Sequence, residues 1–319
     1  MVSGVANFHS RAYNASEPTL SLDIGGNALQ DFEYVVPKTL KDAIGWMAGK
    51  GSKAKALAGG TDVLVQLRGG RFTIDRLVEL KNVPEMNEVT CSRDKGLILG
   101  AAVPCYRVYD DKTIQELYPG LVDAAFLIGG IQIQGRATIG GNLCNSSPSG
   151  DTIPALIALN AQCNIEGPNG VRTVSVEEFC TGPGSNLLQD GELLVSLSFP
   201  PPTPRSGAHF LRFIPRNEMD IAVANTAAWV QLGSDREHIE AARISIGAVA
   251  PTPLFAKAAS DILSGRVADE DSYQAAAEAA QAIASPIDDM RGTVRQRIHL
   301  VGVLTKRALR QAVARAKEA

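Results

Sequence analysis

A proline-rich segment in the second half of the chain places the strongest limit on how this sequence can fold. Residues 200–204 read Pro-Pro-Pro-Thr-Pro, which is four prolines in five positions. Proline lacks the backbone N–H that helices and inner strands use, and its ring clashes with a continuing helix. We therefore expect a boundary between two structural units here. At 319 residues the chain is long enough for two cores.

The residues before the prolines alternate between strand-like and helical patterns. Thr39 is a predicted N-cap for a helix that carries apolar residues at helical spacing over 40–47. A strand-like run over 54–58 and a helical run over 63–67 enclose the first glycine pair. Further strands are predicted at 76–80, 96–103, 162–165, 171–176 and 193–199, with helices at 119–128 and 154–159.

The residues after the prolines follow a different order. Strand-like patterns come first, at 209–213, 221–232 and 238–249, and helical patterns follow, at 254–263, 273–284 and 295–317. A run of strands followed by a run of helices is typical of an α+β domain, in which helices cover one face of an antiparallel sheet.

Two glycine turns carry the main functional signal. They read Ala58-Gly59-Gly60-Thr61-Asp62 and Thr138-Ile139-Gly140-Gly141-Asn142, and small polar residues accompany both glycine pairs. Glycine lets backbone N–H groups face a ligand without a Cβ in the way, and a helix behind the turn favours an anion. One glycine pair is more often structural. Two such turns could hold the two phosphates of a dinucleotide, although neither matches the Rossmann or P-loop pattern.

Four further polar residues have two interpretations each. Asp151 could accept hydrogen bonds from ribose hydroxyls or could cap the following helix. Asn142 and Asn145 could bind phosphate or stabilise their own turns. Arg212 could face a ligand from a strand or lie on a solvated strand face.

Composition excludes several classes of function. A net charge of −3 gives no general attraction to nucleic acid, and no apolar run reaches the roughly 18 to 20 residues of a membrane helix. The five cysteines form no CxxC pair and the four histidines show no metal-ligand spacing, so we expect no metal site and a cytoplasmic location.

No catalytic triad or HExxH motif is present, so we predict no catalytic side chain in this chain. That fits electron transfer by a bound cofactor.

The chain resembles the FAD-binding medium subunit of the molybdenum hydroxylases, which include xanthine dehydrogenase and carbon monoxide dehydrogenase. The resemblance runs from about Phe32 to the C-terminus and rests on the motifs Ala58–Asp62, Gln132-Ile133, Arg136–Asn142, Ser147-Pro148 with Gly150-Asp151, Asp220–Ala222 and Arg291-Gly292. The sequence departs from the family where Gln134-Gly135 replaces a common Arg-Asn pair, where Gln296 replaces a common tyrosine, and where Arg212 replaces a common lysine. It also lacks the four-cysteine insert that carries an iron–sulfur cluster in one branch, so the resemblance implies FAD alone in this chain.

The resemblance implies an α+β fold in two domains after an N-terminal extension over 1–30. Residues 31–204 are expected to form a two-part FAD-binding domain of the vanillyl-alcohol oxidase and MurB type, also called PCMH-type. Residues 207–317 are expected to form a domain like the C-terminal domain of the carbon monoxide dehydrogenase flavoprotein, with an antiparallel sheet and helices.

The resemblance also implies which residues hold FAD. The two glycine turns are expected to hold its diphosphate, Asp151 its adenosine end, and Leu194 to pack on the isoalloxazine ring. The cofactor-binding residues expected in this way are Leu57, Ala58, Gly59, Gly60, Thr61, Asp62, Val63, Thr138, Ile139, Gly140, Gly141, Asn142, Asn145, Asp151, Leu194 and Arg212. On this basis Gly60→Val and Gly140→Val are each expected to abolish FAD retention and leave the chain folded.

The implied function is electron transfer within a three-subunit enzyme. A large subunit with a molybdopterin cofactor oxidises the substrate, a small subunit with two [2Fe-2S] clusters relays electrons, and FAD here passes them to NAD, a quinone or oxygen. The assembly is expected to be a dimer of such heterotrimers. Two alternatives are a stand-alone FAD-dependent oxidoreductase of the same fold, which needs its own acid–base residues, and a scaffold that has lost FAD, against which the intact glycine turns argue.

Overall fold

A computed structural model describes residues 30–216 and 219–319, so the expected N-terminal extension lies outside the described residues apart from Gln30. The strands are β1 Glu33–Val35, β2 Ala54–Leu57, β3 Arg76–Glu79, β4 Val89–Ser92, β5 Gly96–Gly100, β6 Gln162–Gly167, β7 Gly170–Ser175, β8 Cys180–Gly182, β9 Ser185–Asn186, β10 Leu193–Phe199, β11 Ser206–Phe213, β12 Ala224–Leu232, β13 Ile239–Gly247 and β14 Leu254–Phe255. The helices are α1 Leu40–Met47, α2 Val63–Arg68, α3 Cys105–Tyr109, α4 Lys112–Leu117, α5 Pro119–Ala125, α6 Ile131–Gln134, α7 Ile139–Asn145, α8 Ile153–Ala158, α9 Val176–Phe179, α10 Lys257–Leu263, α11 Glu270–Ala282 and α12 Val294–Glu318.

The chain before the prolines contains one small parallel sheet, one larger antiparallel sheet and the two-stranded antiparallel sheet β8-β9. The parallel sheet has the order β1-β3-β2, and the first glycine turn follows β2 at the carboxyl edge of this sheet. Helix α1 begins where the sequence predicts it, because the Thr39 side chain accepts a hydrogen bond from the Asp42 N–H. Helix α2 packs its apolar side chains on Leu57 and Leu77 of the sheet.

The antiparallel sheet has the order β4-β5-β10-β6-β7. Strand β6 alternates half-buried and buried residues, as expected for a sheet with one face on the core. Strand β10 lies between β5 and β6 and is buried along most of its length. Its side chains join those of α5, α7 and α8 in one apolar core that extends from Leu40 to Ala208.

The chain after the prolines forms an antiparallel sheet covered by helices. The sheet has the order β11-β12-β13-β14, and α12 packs against β11 and β12 while α10 packs against β13. A second apolar core lies between this sheet and the helices, and it includes residues from Ala224 to Ala316. The α+β architecture expected from the order of strands and helices is therefore confirmed.

The two parts meet through the other face of the β11–β14 sheet. A small cluster there contains Ala124 from α5, Ala155 and Ala158 from α8, and Phe210 and Ala227 from the sheet. The tight approach of α8 to β13 is visible at Gly247, where an added Cβ would lie 3.0 Å from Pro154 Cγ. This junction sets the relative position of the loop before α8 and the strand that carries Arg212.

One predicted element differs in type from the structure. The helix expected over 254–263 begins only at Lys257, because Leu254 and Phe255 pair with Ile246 and Ser245 as the edge strand β14. Pairing with β13 gives the backbone groups of this segment hydrogen-bond partners. In a helix beginning at Leu254, the first N–H groups would have had no partner inside the helix. The short strands β1 and β4 and the helices α3 and α4 are among the elements without a sequence prediction.

Within residues 30–216 and 219–319, no helix combines the length and the apolar character that crossing a membrane requires. The same ranges contain no group of three or more His, Cys, Asp or Glu side chains arranged to hold a metal ion.

Candidate functional site

The structure brings the two glycine turns into direct contact. Arg136 Nε donates a hydrogen bond to the Gly59 carbonyl oxygen (3.2 Å) immediately before the second turn begins. The Arg136 carbonyl and the Ala137 Cα occupy the space that a Cβ on Gly59 would need, so only glycine fits this position. Gly60 has a φ of 81°, a conformation that favours glycine. The two turns therefore form one cradle, although they lie far apart in the sequence.

The cradle presents backbone donors that the protein itself does not use. Among the described residues, the N–H groups of residues 59 to 62 and those of Ile139 and Gly140 donate to no protein acceptor. Helix starts leave their first N–H groups without an intrahelical partner, and together with those of a glycine turn they can bind a ligand with acceptor oxygens. Leu57 and Val63 flank the first turn and pack in the apolar cluster beneath it. This arrangement fits an anionic group.

The polar residues of the two turns mainly stabilise the cradle. Thr138 caps α7, since its Oγ1 accepts from the Gly141 N–H (2.9 Å). Asn142 Oδ1 accepts from the hydroxyl of Thr152 (2.7 Å), which ties the second turn to the loop of Asp151. Asn145 Oδ1 accepts from Gln66 Nε2 (3.1 Å), which joins α7 to α2. Asp62 stands at the N-cap position of α2 but makes no capping bond with its side chain.

Asp151 and Arg212 form an ion pair between the two parts of the chain. Arg212 Nη1 lies 2.6 Å from Asp151 Oδ2, and the two side chains are only 5% and 13% exposed. Burial raises the pKa of Asp151 to about 6, and the charge of Arg212 only partly opposes this. Asp151 is not the helix cap, because Thr152 occupies that position in α8. The solvated strand face considered for Arg212 is also wrong, since its side chain is buried.

Several polar atoms around this pair have no partner among the described residues. They are Asp151 Oδ1, Arg212 Nε and both amide atoms of Asn225, which is fully buried and lies opposite Arg212 in the β11–β12 register. Buried polar groups without partners are rare in native structures and point to a missing hydrogen-bonding partner. Acceptors and donors occur together here, so the pattern suits hydroxyl or amide groups better than a phosphate.

Leu194 lies in the interior, close to the second turn. It is 3% exposed, and a β-bulge in strand β10 follows it between Leu194 and Ser196. Its neighbour Val195 accepts a backbone hydrogen bond from Ala101 (2.9 Å), and Ala101 packs against Gly140. Bulges are frequent beside functional sites, where they change the direction of a side chain.

The space at Gly140 corrects one sequence-based expectation. A Cβ at this position would lie 2.5 Å from the Ala101 carbonyl oxygen and 2.7 Å from its Cα, so Gly140 is packed against backbone. Gly140→Val therefore disturbs the fold itself, and its effect on a ligand cannot be separated from that damage. Because this contact is tertiary, it argues against the expectation that the variant stays folded.

Sequence reasoning missed two groups that the structure places beside the cradle. Arg136 was part of a motif, but only the fold shows that it binds Gly59. Lys81 follows β3 at the same carboxyl edge as the first turn, and the parallel order of β2 and β3 was the signal that could have found it. A separate cavity of about 610 Å³, lined by Tyr118, Trp229 and Arg315 among others, contains none of the predicted site residues.

Comparison with known proteins connects this geometry to a family. Residues 30–202 match the model of the FAD binding domain in molybdopterin dehydrogenase, and residues 209–312 match that of the CO dehydrogenase flavoprotein C-terminal domain. The xanthine dehydrogenase FAD-binding subunit of Escherichia coli is 34% identical over 279 residues, which cover 87% of this chain and 94% of that protein. The carbon monoxide dehydrogenase medium chain of Hydrogenophaga pseudoflava is 32% identical over 287 residues, covering 89% and 98%.

A solved structure is similar over nearly the same length. Carbon monoxide dehydrogenase from Hydrogenophaga pseudoflava, in a form that lacks the Mo-pyranopterin moiety of the molybdenum cofactor, has a chain that superposes with a TM-score of 0.86 at 32% identity. The match covers 90% of this chain and 99% of that one. The chain therefore belongs to the FAD-binding subunits of the molybdenum hydroxylases, the oxidoreductase family of the xanthine and carbon monoxide dehydrogenases.

Proposed function

We propose that this chain is the electron-transfer subunit of a three-subunit molybdenum enzyme and that its cradle holds FAD. When bound, FAD accepts electrons from [2Fe-2S] clusters of a small partner subunit and passes them to an external acceptor, which is NAD, a quinone or oxygen. A large partner subunit with a molybdopterin cofactor oxidises the substrate. The complex is a dimer of heterotrimers located in the cytoplasm.

The observation that carries this proposal is the contact between the two glycine turns. The turns touch each other and both carry free backbone N–H groups, which suits the diphosphate that links the two halves of FAD. The chain's own residues bind and orient the cofactor. Residues 58–62 and 138–142 hold the diphosphate, Leu194 packs on the ring system, and Asp151 and Arg212 hydrogen-bond the polar groups of the cofactor.

The unpartnered atoms at Asp151 and Arg212 support this assignment. Asp151 Oδ1 and Arg212 Nε offer one acceptor and one donor in a buried position, and the hydroxyls of a sugar or ribityl chain can satisfy both. The residues of the two glycine turns and the Asp151–Arg212 pair therefore fit FAD. Residues 31–204 supply the FAD-binding domain in this proposal, and residues 207–317 supply the domain that contributes Arg212.

Co-purification tests the subunit assignment. The native protein, isolated with whatever binds it, is expected to contain three different chains, FAD, molybdenum and iron, measured by mass spectrometry and by metal and flavin analysis. A yellow single chain that turns over its own substrate, without molybdenum or iron, supports the stand-alone FAD oxidoreductase instead and overturns the three-subunit assignment.

A further inference from the structure

The first glycine turn shares the edge of the parallel sheet with the end of β3. Leu57 and Glu79 are paired in the β2–β3 register, and the Leu80 N–H donates to the Leu57 carbonyl (2.9 Å). Lys81 therefore leaves the sheet next to the start of the turn at residues 58–62. Ligands of parallel sheets bind at this carboxyl edge, where the strand-following loops converge.

Arg136 reaches the same place from the second turn. Its Nε is bonded to the Gly59 carbonyl, and the residue as a whole is exposed. Neither the Lys81 ammonium nor the two Nη atoms of Arg136 has a hydrogen-bond or ion-pair partner in the part of the chain that the structure describes. Two cations are thus available beside the free backbone donors of the cradle.

The nearby carboxylate neutralises these two cations only in part. Glu79 is 7% exposed, and its oxygens accept from the Tyr34 hydroxyl (2.9 Å) and from the Lys81 backbone N–H (3.1 Å). The pKa of Lys81 is lowered by burial and by the charge of Arg136, and Glu79 offsets this only in part. Lys81, Arg136 and Glu79 together leave a net positive charge at the edge of the cradle.

Asp62 adds a negative charge to the first turn. This carboxylate belongs to the first turn and has no ion-pair partner within the described residues, so a phosphate bound at the turn meets a like charge. Neutral N–H groups alone compensate a diphosphate only partly, and nearby cations add to the attraction.

We propose that Lys81 and Arg136 form a cationic rim on the first glycine turn and bind the diphosphate of the dinucleotide held there. The inference rests on the proposed FAD function and deepens it, since it names the two side chains that supply the counter-charge. Both are binding residues that hold the anion in place. Neither takes part in electron transfer.

Equilibrium binding to the flavin-free chain tests the rim. Lys81→Met and Arg136→Met, measured by the quenching of flavin fluorescence, are each expected to weaken FAD binding about three- to tenfold at low salt. Riboflavin, which has no phosphate, should bind all variants and the wild type equally. The loss of FAD affinity should shrink in 1 M salt, where the Debye length falls to about 3 Å.

Two control variants separate charge from structure. Lys81→Arg keeps the charge and should retain wild-type FAD affinity, and Lys95→Met removes an exposed lysine from the turn between β4 and β5 and should change nothing. Lys81→Met is the more direct variant, because Arg136→Met also removes the bond to Gly59.

The outcomes distinguish the two proposals. If the wild-type chain binds FAD and the Lys81→Met variant binds it with equal affinity, the cationic rim is overturned and the proposed FAD function is not. Equal loss of riboflavin and FAD also overturns it, since the effect is then not on the phosphates. A wild-type chain that binds no FAD overturns the proposed function and the rim with it.

Discussion

At the scale of single residues, Asp151 has the most unusual environment among the candidate site residues. Its carboxylate is buried at the junction of the two parts of the chain and is paired with Arg212. The desolvation of the charged form outweighs the attraction to the guanidinium, so its pKa is raised from 3.8 to about 6. A group of this kind makes stability depend on pH near neutrality.

The raised pKa gives a prediction for Asp151→Asn. The folded FAD-free chain holds the Asp151 proton up to about pH 6, whereas the unfolded chain releases it near pH 3.8, so folding takes up a proton between these values. The stability of the wild type relative to the variant should therefore fall by about 3 kcal/mol as the pH rises from about 4 to 7. Urea unfolding of both proteins over this range measures the difference. A difference that grows with pH would show that Arg212 keeps the carboxylate ionised.

At the scale of the secondary-structure element, the start of α7 combines two glycines with different roles. Gly140 is buried against the backbone of Ala101, whereas a Cβ at Gly141 would approach only the Thr138 hydroxyl, at 2.8 Å. Gly140 therefore allows helix α7 to lie close to Ala101, which follows strand β5. Gly141 leaves free the space beside the capping hydroxyl of Thr138.

This contrast predicts different results for two alanine variants. Gly140→Ala should lower the free energy of unfolding by about 1–3 kcal/mol, because neither Ala101 nor α7 can move away easily. Gly141→Ala should cost about 1 kcal/mol or less, since only the capping bond is affected. Its FAD affinity should nevertheless fall, because the added methyl lies at the cradle. Thermal unfolding and FAD titration of both variants test this, and a Gly141→Ala protein with unchanged affinity contradicts the placement.

At the scale of the whole molecule, a polar cluster joins the two parts at a second position. Asp123 of α5 accepts from His209 of β11 (2.5 Å) and from Arg315 of α12 (2.6 and 3.0 Å). Arg315 also donates to the Ala208 carbonyl (2.6 Å). Burial raises the pKa of Asp123. The hydrogen bonds and charges of His209 and Arg315 together lower it by more than burial raises it, so the pKa lies below its ordinary value.

The Asp123 cluster should stabilise the whole chain above acidic pH. Asp123→Asn leaves Arg315 without its counter-ion and is expected to lower the free energy of unfolding by about 2–4 kcal/mol at pH 7. Because the pKa of Asp123 is lowered in the folded state, this difference should persist above pH 4 and disappear as the pH falls through the folded pKa. Urea unfolding monitored by tryptophan fluorescence measures it. Equal stabilities at pH 7 would mean that the apolar junction alone joins the two parts.

The sequence by itself determined many of the helices and strands and both glycine turns. The helix capped by Thr39, the strand before the first glycine turn and the order of strands and helices after the prolines could be predicted. These features depend on proline, glycine, capping and periodicity, which act over a few residues. The motifs were also specific enough to indicate the family.

Only the tertiary structure decided how these pieces combine into a site. It joined Arg136 to Gly59, placed Lys81 beside the first turn and paired Asp151 with Arg212. It also showed that Gly140 is a packing residue. Such contacts depend on strand register and on close packing between segments distant in sequence, and local patterns carry no information about either. The sequence thus determined which turns could hold a dinucleotide, and the fold decided which side chains surround it.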